Sequence, residues 1–100
     1  MVLLVCLLIA CMAQVSEIER NALLDLYNST NGEQWDYSNA WLTGDPCLNG
    51  WYGVYCNANY TEVNAILLDQ NNLNGTLPPS LSGINNLLAM FVCCLPLDCY

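Results

Sequence analysis

The side chains that carry most enzymatic chemistry are nearly absent from this 100-residue sequence. It has no histidine and one basic residue, Arg20, and it lacks a glycine-rich phosphate loop and a Gly-X-Ser-X-Gly elbow. Asp36 and Asp45, near the tryptophans, are the one acidic pair we consider for glycoside hydrolysis, which needs two carboxylates across a pocket. The other acids are scattered, as solvated surface charges are. The sequence therefore predicts a non-enzymatic protein with no cofactor and no metal site.

The charge balance restricts the class of partner. Nine acidic residues against one basic residue give a net charge of −8. Such a surface repels the phosphate groups of nucleic acids and of anionic lipids. We therefore expect a protein or peptide partner rather than a nucleic acid or a charged membrane surface.

An apolar leader precedes the charged part of the chain. Residues 1–13 (MVLLVCLLIACMA) carry no charged side chain and end in the small residues Cys11 and Ala13. The run is too short to span a bilayer, which takes about 20 apolar residues. It predicts a secretory signal peptide cut after Ala13. Residues 8–11 (LIAC) also match a bacterial lipoprotein box, which would acylate Cys11, but the rest of the chain is typical of eukaryotic proteins, so we favour ordinary cleavage.

The cysteines and glycosylation signals point to an oxidising, extracellular compartment. Cys6 and Cys11 would leave with the leader, and an odd set remains: Cys47, Cys56, Cys93, Cys94 and Cys99. At least one of these is unpaired, linked to another chain or outside the fold. N-glycosylation acceptors begin at Asn28, Asn59 and Asn74. We expect a secreted protein, or alternatively a cell-surface one within a longer membrane-anchored chain.

A helix is predicted at the start of the mature chain. Ser16 and Glu19 have the spacing of a capping box, which satisfies free backbone N–H groups at a helix start. Apolar residues recur at intervals of three and four: Ile18, Ala22, Leu23, Leu26 and Tyr27. Asn31 and Gly32 end the pattern. Because no basic face accompanies the apolar stripe, we expect a packing helix rather than a membrane-surface helix.

Three tryptophans lie in the loop-rich segment that follows. Trp35, Trp41 and Trp51 lie among Asn, Gly and Asp residues without a steady period. They would form either a carbohydrate-binding platform or the centre of a small core. We favour the core, because a loop-rich segment needs bulky anchors.

A leucine-rich pattern occupies residues 63–88. Its template, Leu-X-X-Leu-X-Leu-X-X-Asn-X-Leu, describes a short strand followed by a turn and a return segment, and it restarts after 24 residues. We expect Asn71 to turn inward and satisfy buried backbone groups of its turn, Gly75 to permit a tight backbone and Pro78 to begin an extended return. The predicted core of the repeat is Val63, Ile66, Leu68, Asn71, Leu73, Leu77, Leu81, Ile84 and Leu87.

Residues 17–92 resemble a plant-type leucine-rich-repeat protein. The pattern LxxNxLxGxLPxxLxxL is similar to plant-type repeats, and the helix with a Trp- and Cys-rich segment ending in W-x-G-V-x-C (51–56) resembles their N-terminal cap. The resemblance implies a Cys47–Cys56 disulfide, worth about 2–3 kcal/mol on the chain-entropy model, and a cap that shields the first coil from water. It also implies extracellular recognition, as in receptor-like kinases, receptor-like proteins without kinases and secreted inhibitors of cell-wall-degrading enzymes.

The pattern weakens after residue 86. A second repeat begins with Leu87, Met90 and Val92, but Leu95 stands at its asparagine position. About three repeats are needed for an independently stable solenoid, so we expect a truncated chain. Cys93 and Cys94 could instead be acylated or bridge to a partner. The apolar run 87–97 is too short to span a membrane.

The predicted fold is thus an α/β leucine-rich-repeat solenoid fragment, in which a capping helix and a disulfide-stapled, Trp-rich cap precede about one strand-and-turn repeat. The predicted segments are a signal peptide (1–13), the cap (14–62), the first repeat (63–86), and an incomplete second repeat with a divergent Cys-rich tail (87–100).

The predicted function is non-catalytic extracellular recognition of a protein or peptide ligand, or of further repeats of the parent chain. Ligands of full solenoids meet the concave strand face, where this sequence presents Ala65, Leu67, Asp69 and Gln70. A standard interface buries about 800 Å² per partner, so this fragment alone should bind weakly. The alternative is a small secreted structural protein that dimerises through disulfides at Cys93, Cys94 or Cys99.

Overall fold

The computed structural model describes residues 14–95 and 98–99, so the predicted leader lies outside the described residues. In this part of the chain one α-helix precedes six short strands. They are α1 (Glu17–Ser29), β1 (Val54–Cys56), β2 (Val63–Leu67), β3 (Leu73–Asn74), β4 (Ala89–Phe91), β5 (Cys93–Leu95) and β6 (Asp98–Cys99). Two 3-10 turns, Gly32–Gln34 and Pro79–Gly83, follow α1 and β3.

The strands form two small sheets. In the first, the central strand β2 pairs antiparallel with β1 and parallel with β4. The parallel pairing aligns residues 24 positions apart, Ala65 with Ala89 and Leu67 with Phe91. In the second, β5 pairs parallel with β3 and antiparallel with β6. The chain therefore makes one full turn after β2 and returns beside itself.

Helix α1 begins directly after the predicted N-cap residue Ser16, but its capping box is only half formed. The Ser16 hydroxyl oxygen accepts the Glu19 backbone N–H at 3.2 Å. The Glu19 carboxylate does not return to Ser16; it is 7% exposed and accepts the Val63 N–H at 2.8 Å. The reciprocal half of the prediction is wrong, because the first residue of β2 brings a buried N–H that needs an acceptor. This bond joins the helix to the sheet.

One hydrophobic core joins the helix, the segment after it and the first sheet. Ala22, Leu23 and Leu26 are the buried apolar residues of α1. Ile18 was predicted for the same stripe, but it is 66% exposed, because in the first turn of the helix it lies at the edge of the core, against Gly83. The buried apolar residues are Val15, Ala22, Leu23, Leu26, Trp35, Trp41, Trp51, Val63, Ile66, Leu68, Leu73, Leu81, Ile84 and Val92.

The return segment after β3 crosses the end of α1 at close range. Gly75 has φ 144°, and a Cβ atom there would collide with the Ser29 carbonyl oxygen. The Asn74 N–H donates to the Thr30 carbonyl oxygen at 3.0 Å. Glycine is needed here both for its backbone conformation and for its missing side chain. This contact sets the segment after β3 against the end of the helix.

Candidate ligand-binding face

The three tryptophans form a packed cluster rather than an exposed platform. Trp51 is 1% exposed, and the ring centroids of Trp41 lie 4.9 Å from those of both Trp35 and Trp51. Each indole N–H donates to a backbone carbonyl oxygen at 2.7–3.1 Å, that of Thr30, Tyr52 or Thr43. A ring with buried faces and a satisfied N–H cannot stack on a sugar. The predicted core role is confirmed, and the carbohydrate platform is wrong.

The two acids considered for hydrolysis do not share a cavity. Asp45 lines a shallow cavity of about 360 Å³ that Asp36 does not line. The Asp45 carboxylate accepts backbone N–H groups at 2.8–2.9 Å from Val15, Cys47 and Leu48. Its oxygens are therefore engaged in holding the chain, while Asp36 is exposed. Among the described residues, no three His, Cys, Asp or Glu side chains are grouped so that they could hold a metal ion.

A disulfide and a cation–π contact fix the segment that leads into β1. Cys47 and Cys56 form the disulfide that the family resemblance implies. The Arg20 guanidinium lies 5.6 Å from the Trp51 ring centroid, and its Nε donates to the Gly44 carbonyl oxygen at 3.0 Å. These contacts tie α1 and the disulfide loop to the tryptophan cluster, so that β1 starts from a fixed position.

The C-terminal cysteines were predicted either to bridge two chains or to carry lipid. Cys93 is disulfide-bonded within the chain, so its thiol is not free for either role. The predictions for Cys94 and Cys99 concern side chains that lie outside the described residues.

Asn71 turns inward as predicted, but its partners belong to the cap. It is 1% exposed; its Oδ1 accepts the Tyr37 N–H at 2.6 Å, and its Nδ2 donates to the Tyr37 carbonyl oxygen at 2.7 Å. The Asn71 carbonyl oxygen also accepts the Asp36 N–H at 3.2 Å. The expectation that Asn71 serves its own turn is therefore wrong, because the segment after Trp35 runs beside that turn and offers unpaired backbone groups. This side chain joins the cap to the coil.

The outward face of the first sheet presents two rows of side chains. Residues in register across neighbouring strands point to the same face. Tyr55, Ala65 and Ala89 form one row across β1, β2 and β4. Leu67 and Phe91 form the second row. Gly53 extends this row beside β2, because its carbonyl oxygen accepts the Leu67 N–H at 2.7 Å. We call these six residues the sheet face.

The sheet face is low in its centre and flanked by two aromatic rings. Tyr55 is 56% exposed and Phe91 57% exposed, whereas Ala65, Leu67 and Ala89 are half-buried. Because neighbouring strands lie about 4.8 Å apart, the outer strands are separated by about 10 Å, and the rings stand on a diagonal across the small residues. Because exposed apolar patches are frequent at interaction sites, the sheet face is the candidate binding surface.

Two of the four predicted contact positions belong to the sheet face. Ala65 and Leu67 lie on it, while Asp69 and Gln70 are exposed in the turn after β2, with Gln70 at φ 56°. Sequence reasoning missed Tyr55 and Phe91. The alternation of residues 53–56, which end in the disulfide cysteine, was a signal for strand β1 that could have placed Tyr55 beside β2.

The residues predicted to form the repeat core are buried or partly buried. Val63, Ile66, Leu68, Asn71, Leu73, Leu81 and Ile84 are buried, and Leu77 and Leu87 pack against them as partly buried residues. The predicted glycan acceptors Asn28, Asn59 and Asn74 are all exposed. Glycan occupancy stays a prediction. Among residues 14–95 and 98–99, no helix has the length and apolarity to cross a membrane.

A family model and curated relatives match this chain. Residues 17–57 match the family model of the leucine-rich repeat N-terminal domain. A probable leucine-rich repeat receptor-like protein kinase of Arabidopsis thaliana is 40% identical over 55 residues, 54% of this chain and 6% of the relative. Pollen receptor-like kinase 3 of the same plant is 30% identical over 118 aligned positions, 87% of this chain and 18% of the relative.

A receptor protein kinase of Oryza sativa subsp. japonica is 30% identical over 56 residues, 56% of this chain and 6% of the relative. The chain thus spans less than a fifth of the length of these curated relatives. No solved structure matches it significantly. The chain therefore carries a plant-type leucine-rich repeat N-terminal domain.

Proposed function

We propose that the chain is a non-catalytic extracellular recognition module whose sheet face contacts an apolar, basic peptide segment of a ligand. The observation that carries this proposal is the in-register arrangement of Tyr55 and Phe91 around Ala65, Leu67 and Ala89. The exposed rings at the edges and the half-buried side chains between them leave room for the side chains of an extended peptide. Aromatic residues of this exposure are frequent anchors of protein interfaces.

The sheet face belongs to the first coil of a leucine-rich solenoid in this proposal. The offset of 24 residues between β2 and β4 equals the spacing at which the sequence pattern restarts. Ile66, Leu68 and Leu73 fill the coil, as the template requires. Later coils would extend the same face, since parallel strands stack in register. This assignment gives the predicted boundaries, which are a cap over residues 14–62 and a first repeat over residues 63–86.

The charge of the molecule favours a basic ligand. Glu62 precedes β2 and Asp69 follows it, so acidic residues stand at both ends of the central strand. Arg20, the one basic residue of the sequence, is engaged with Trp51 and Gly44 in the cap. With a net charge of −8, the protein attracts cationic segments, and this attraction weakens as salt rises.

The relatives support recognition rather than catalysis for this region. They are receptor kinases by name, but residues 17–57 match the leucine-rich repeat N-terminal domain. An extracellular location agrees with the predicted leader and the Cys47–Cys56 disulfide. The sheet face has few residues, well short of the roughly 800 Å² per partner of a standard interface, so we expect micromolar or weaker binding.

A peptide library tests the proposed ligand class. The secreted protein is immobilised, and a random dodecapeptide library displayed on phage is selected against it at low salt. We expect enriched peptides that combine Lys or Arg with Leu, Phe or Trp, and the corresponding synthetic peptides should lose at least about tenfold in affinity for the Tyr55→Ser/Phe91→Ser double variant.

The matched control is Leu48→Ser, which removes an equally exposed apolar side chain from the disulfide loop. It should leave peptide affinity unchanged. Enriched peptides without basic residues would refute the charge argument, and equal binding by all three proteins would refute the sheet face as the site.

A further inference from the structure

The junction between the predicted leader and the folded protein lies at Gln14. Gln14 is exposed, whereas Val15 is 3% exposed and its N–H donates to Asp45 Oδ1 at 2.8 Å. Val15, directly after Gln14, is therefore held by both burial and a hydrogen bond. Within the described residues, no hydrogen bond engages the Gln14 side-chain amide.

We propose that cleavage after Ala13 leaves Gln14 as the first residue and that Gln14 is a modification site, where it cyclises to pyroglutamate. The free α-amino nitrogen attacks the side-chain carbonyl carbon Cδ and forms the amide bond of a five-membered lactam. The bond from Cδ to the side-chain nitrogen breaks, and that nitrogen leaves as ammonia with the proton lost by the amine. No oxidation or reduction is involved. This inference depends on the predicted leader and not on the proposed ligand.

The geometry permits the reaction without disturbing the fold. Cyclisation uses the Gln14 α-nitrogen and side chain, while the Val15 N–H stays bonded to Asp45. The exposed position of Gln14, at the rim of the cavity that Glu17 and Asp45 also line, leaves its side chain free to bend back on the amine. A residue held in a buried hydrogen-bond network could not do so.

The modification would protect a structural anchor. Asp45 Oδ1 accepts the Val15 backbone N–H, and Oδ2 accepts the backbone N–H groups of Cys47 and Leu48. An aminopeptidase that removed Gln14 and then Val15 would delete the first of these bonds and a buried side chain. The lactam has no free α-amino group, and this blocks such trimming. It also removes the positive charge of the amino terminus.

Mass spectrometry of the full chain, expressed in a eukaryotic secretory host and purified from the medium, tests the proposal. After enzymatic removal of N-glycans, we expect the N-terminal peptide to begin at Gln14 and to weigh one ammonia less than its linear form. Treatment with a general aminopeptidase should leave the wild-type chain intact unless pyroglutamyl peptidase is added first.

The matched variant is Gln14→Ala, which leaves the small residues Cys11 and Ala13 before the cut and the Val15 anchor unchanged but cannot cyclise. It should carry a free amine and be trimmed by the same aminopeptidase. An N-terminus at another residue, including an acylated Cys11, would overturn the proposal. So would a linear Gln14 that persists through prolonged incubation at neutral pH.

Discussion

The tryptophan cluster of the cap and the sheet face use the same kind of side chain in opposite ways. Trp35, Trp41 and Trp51 are buried, and every indole N–H has a backbone acceptor. Tyr55 and Phe91 are more than half exposed on the outer strands β1 and β4. The cap needs its rings because α1 and the loops after it supply few other large apolar groups. The sheet does not, because the aliphatic residues Ile66, Leu68 and Leu73 are fully buried there.

This difference shows how aromatic content in a small extracellular chain can be divided between stability and recognition. A buried indole is identified by its satisfied N–H and its ring neighbours. An exposed ring on the outward side of a well-filled coil contributes little to folding, so its presence calls for another explanation. Substitutions of the buried tryptophans should therefore lower the free energy of unfolding more than substitutions of the exposed rings.

The largest effect is expected for Trp51→Ala. The change opens a cavity among Trp41, Arg20 and the disulfide loop, and loss of a buried large aromatic side chain costs about 3–5 kcal/mol. Urea denaturation followed by far-UV circular dichroism measures the loss. A cost below about 1 kcal/mol would mean that the cluster does not stabilise the cap, and the contrast between buried and exposed aromatic residues would fail.

An intermediate effect is expected for Glu19→Ala, which tests the connection between the two regions. It leaves the Val63 N–H buried without its acceptor, at a cost of about 1–3 kcal/mol. Glu19→Gln keeps a carbonyl oxygen and should recover most of the stability. Glu17→Ala, in the same helical turn but exposed, is the control and should lose less. Equal losses for Glu17→Ala and Glu19→Ala would assign the effect to helix charge instead.

The smallest effect on stability is expected for Tyr55→Ser with Phe91→Ser. Exposed side chains outside the core change unfolding free energy by about 0.5 kcal/mol each or less. The same denaturation assay therefore should not separate this variant from the wild type by more than about 1 kcal/mol. A larger loss would show that the rings stabilise the sheet, and the reason for assigning them to a ligand would disappear.

Much of the fold could be predicted from local pattern. The Ser16 cap and the stripe of Ala22, Leu23 and Leu26 define α1, and the spacing of leucines after Val63 defines the coil, because both follow from the period of a single element. Ile18 departs from its stripe because periodicity cannot show where a helix passes the edge of the core.

The site was harder to predict than the fold because it depends on strand pairing. Ala65 and Leu67 follow from the alternation within β2, but Tyr55 joins them through the antiparallel partner β1 and Phe91 through the parallel partner β4. Registers between distant segments are set by the whole packing arrangement, which one stretch of sequence does not contain.

The compartment signals, the acidic charge, the helix and the 24-residue period depend on residue types at short spacing, so they can be predicted from the sequence. The hydrogen-bond partners of the buried polar side chains depend on tertiary packing. This packing brings the Glu19 carboxylate to Val63, the Asn71 amide to Tyr37 and the Asp45 carboxylate to Val15. Each of these side chains met a backbone group 30 or more residues away, because buried N–H groups must find acceptors wherever the packed chain brings them together.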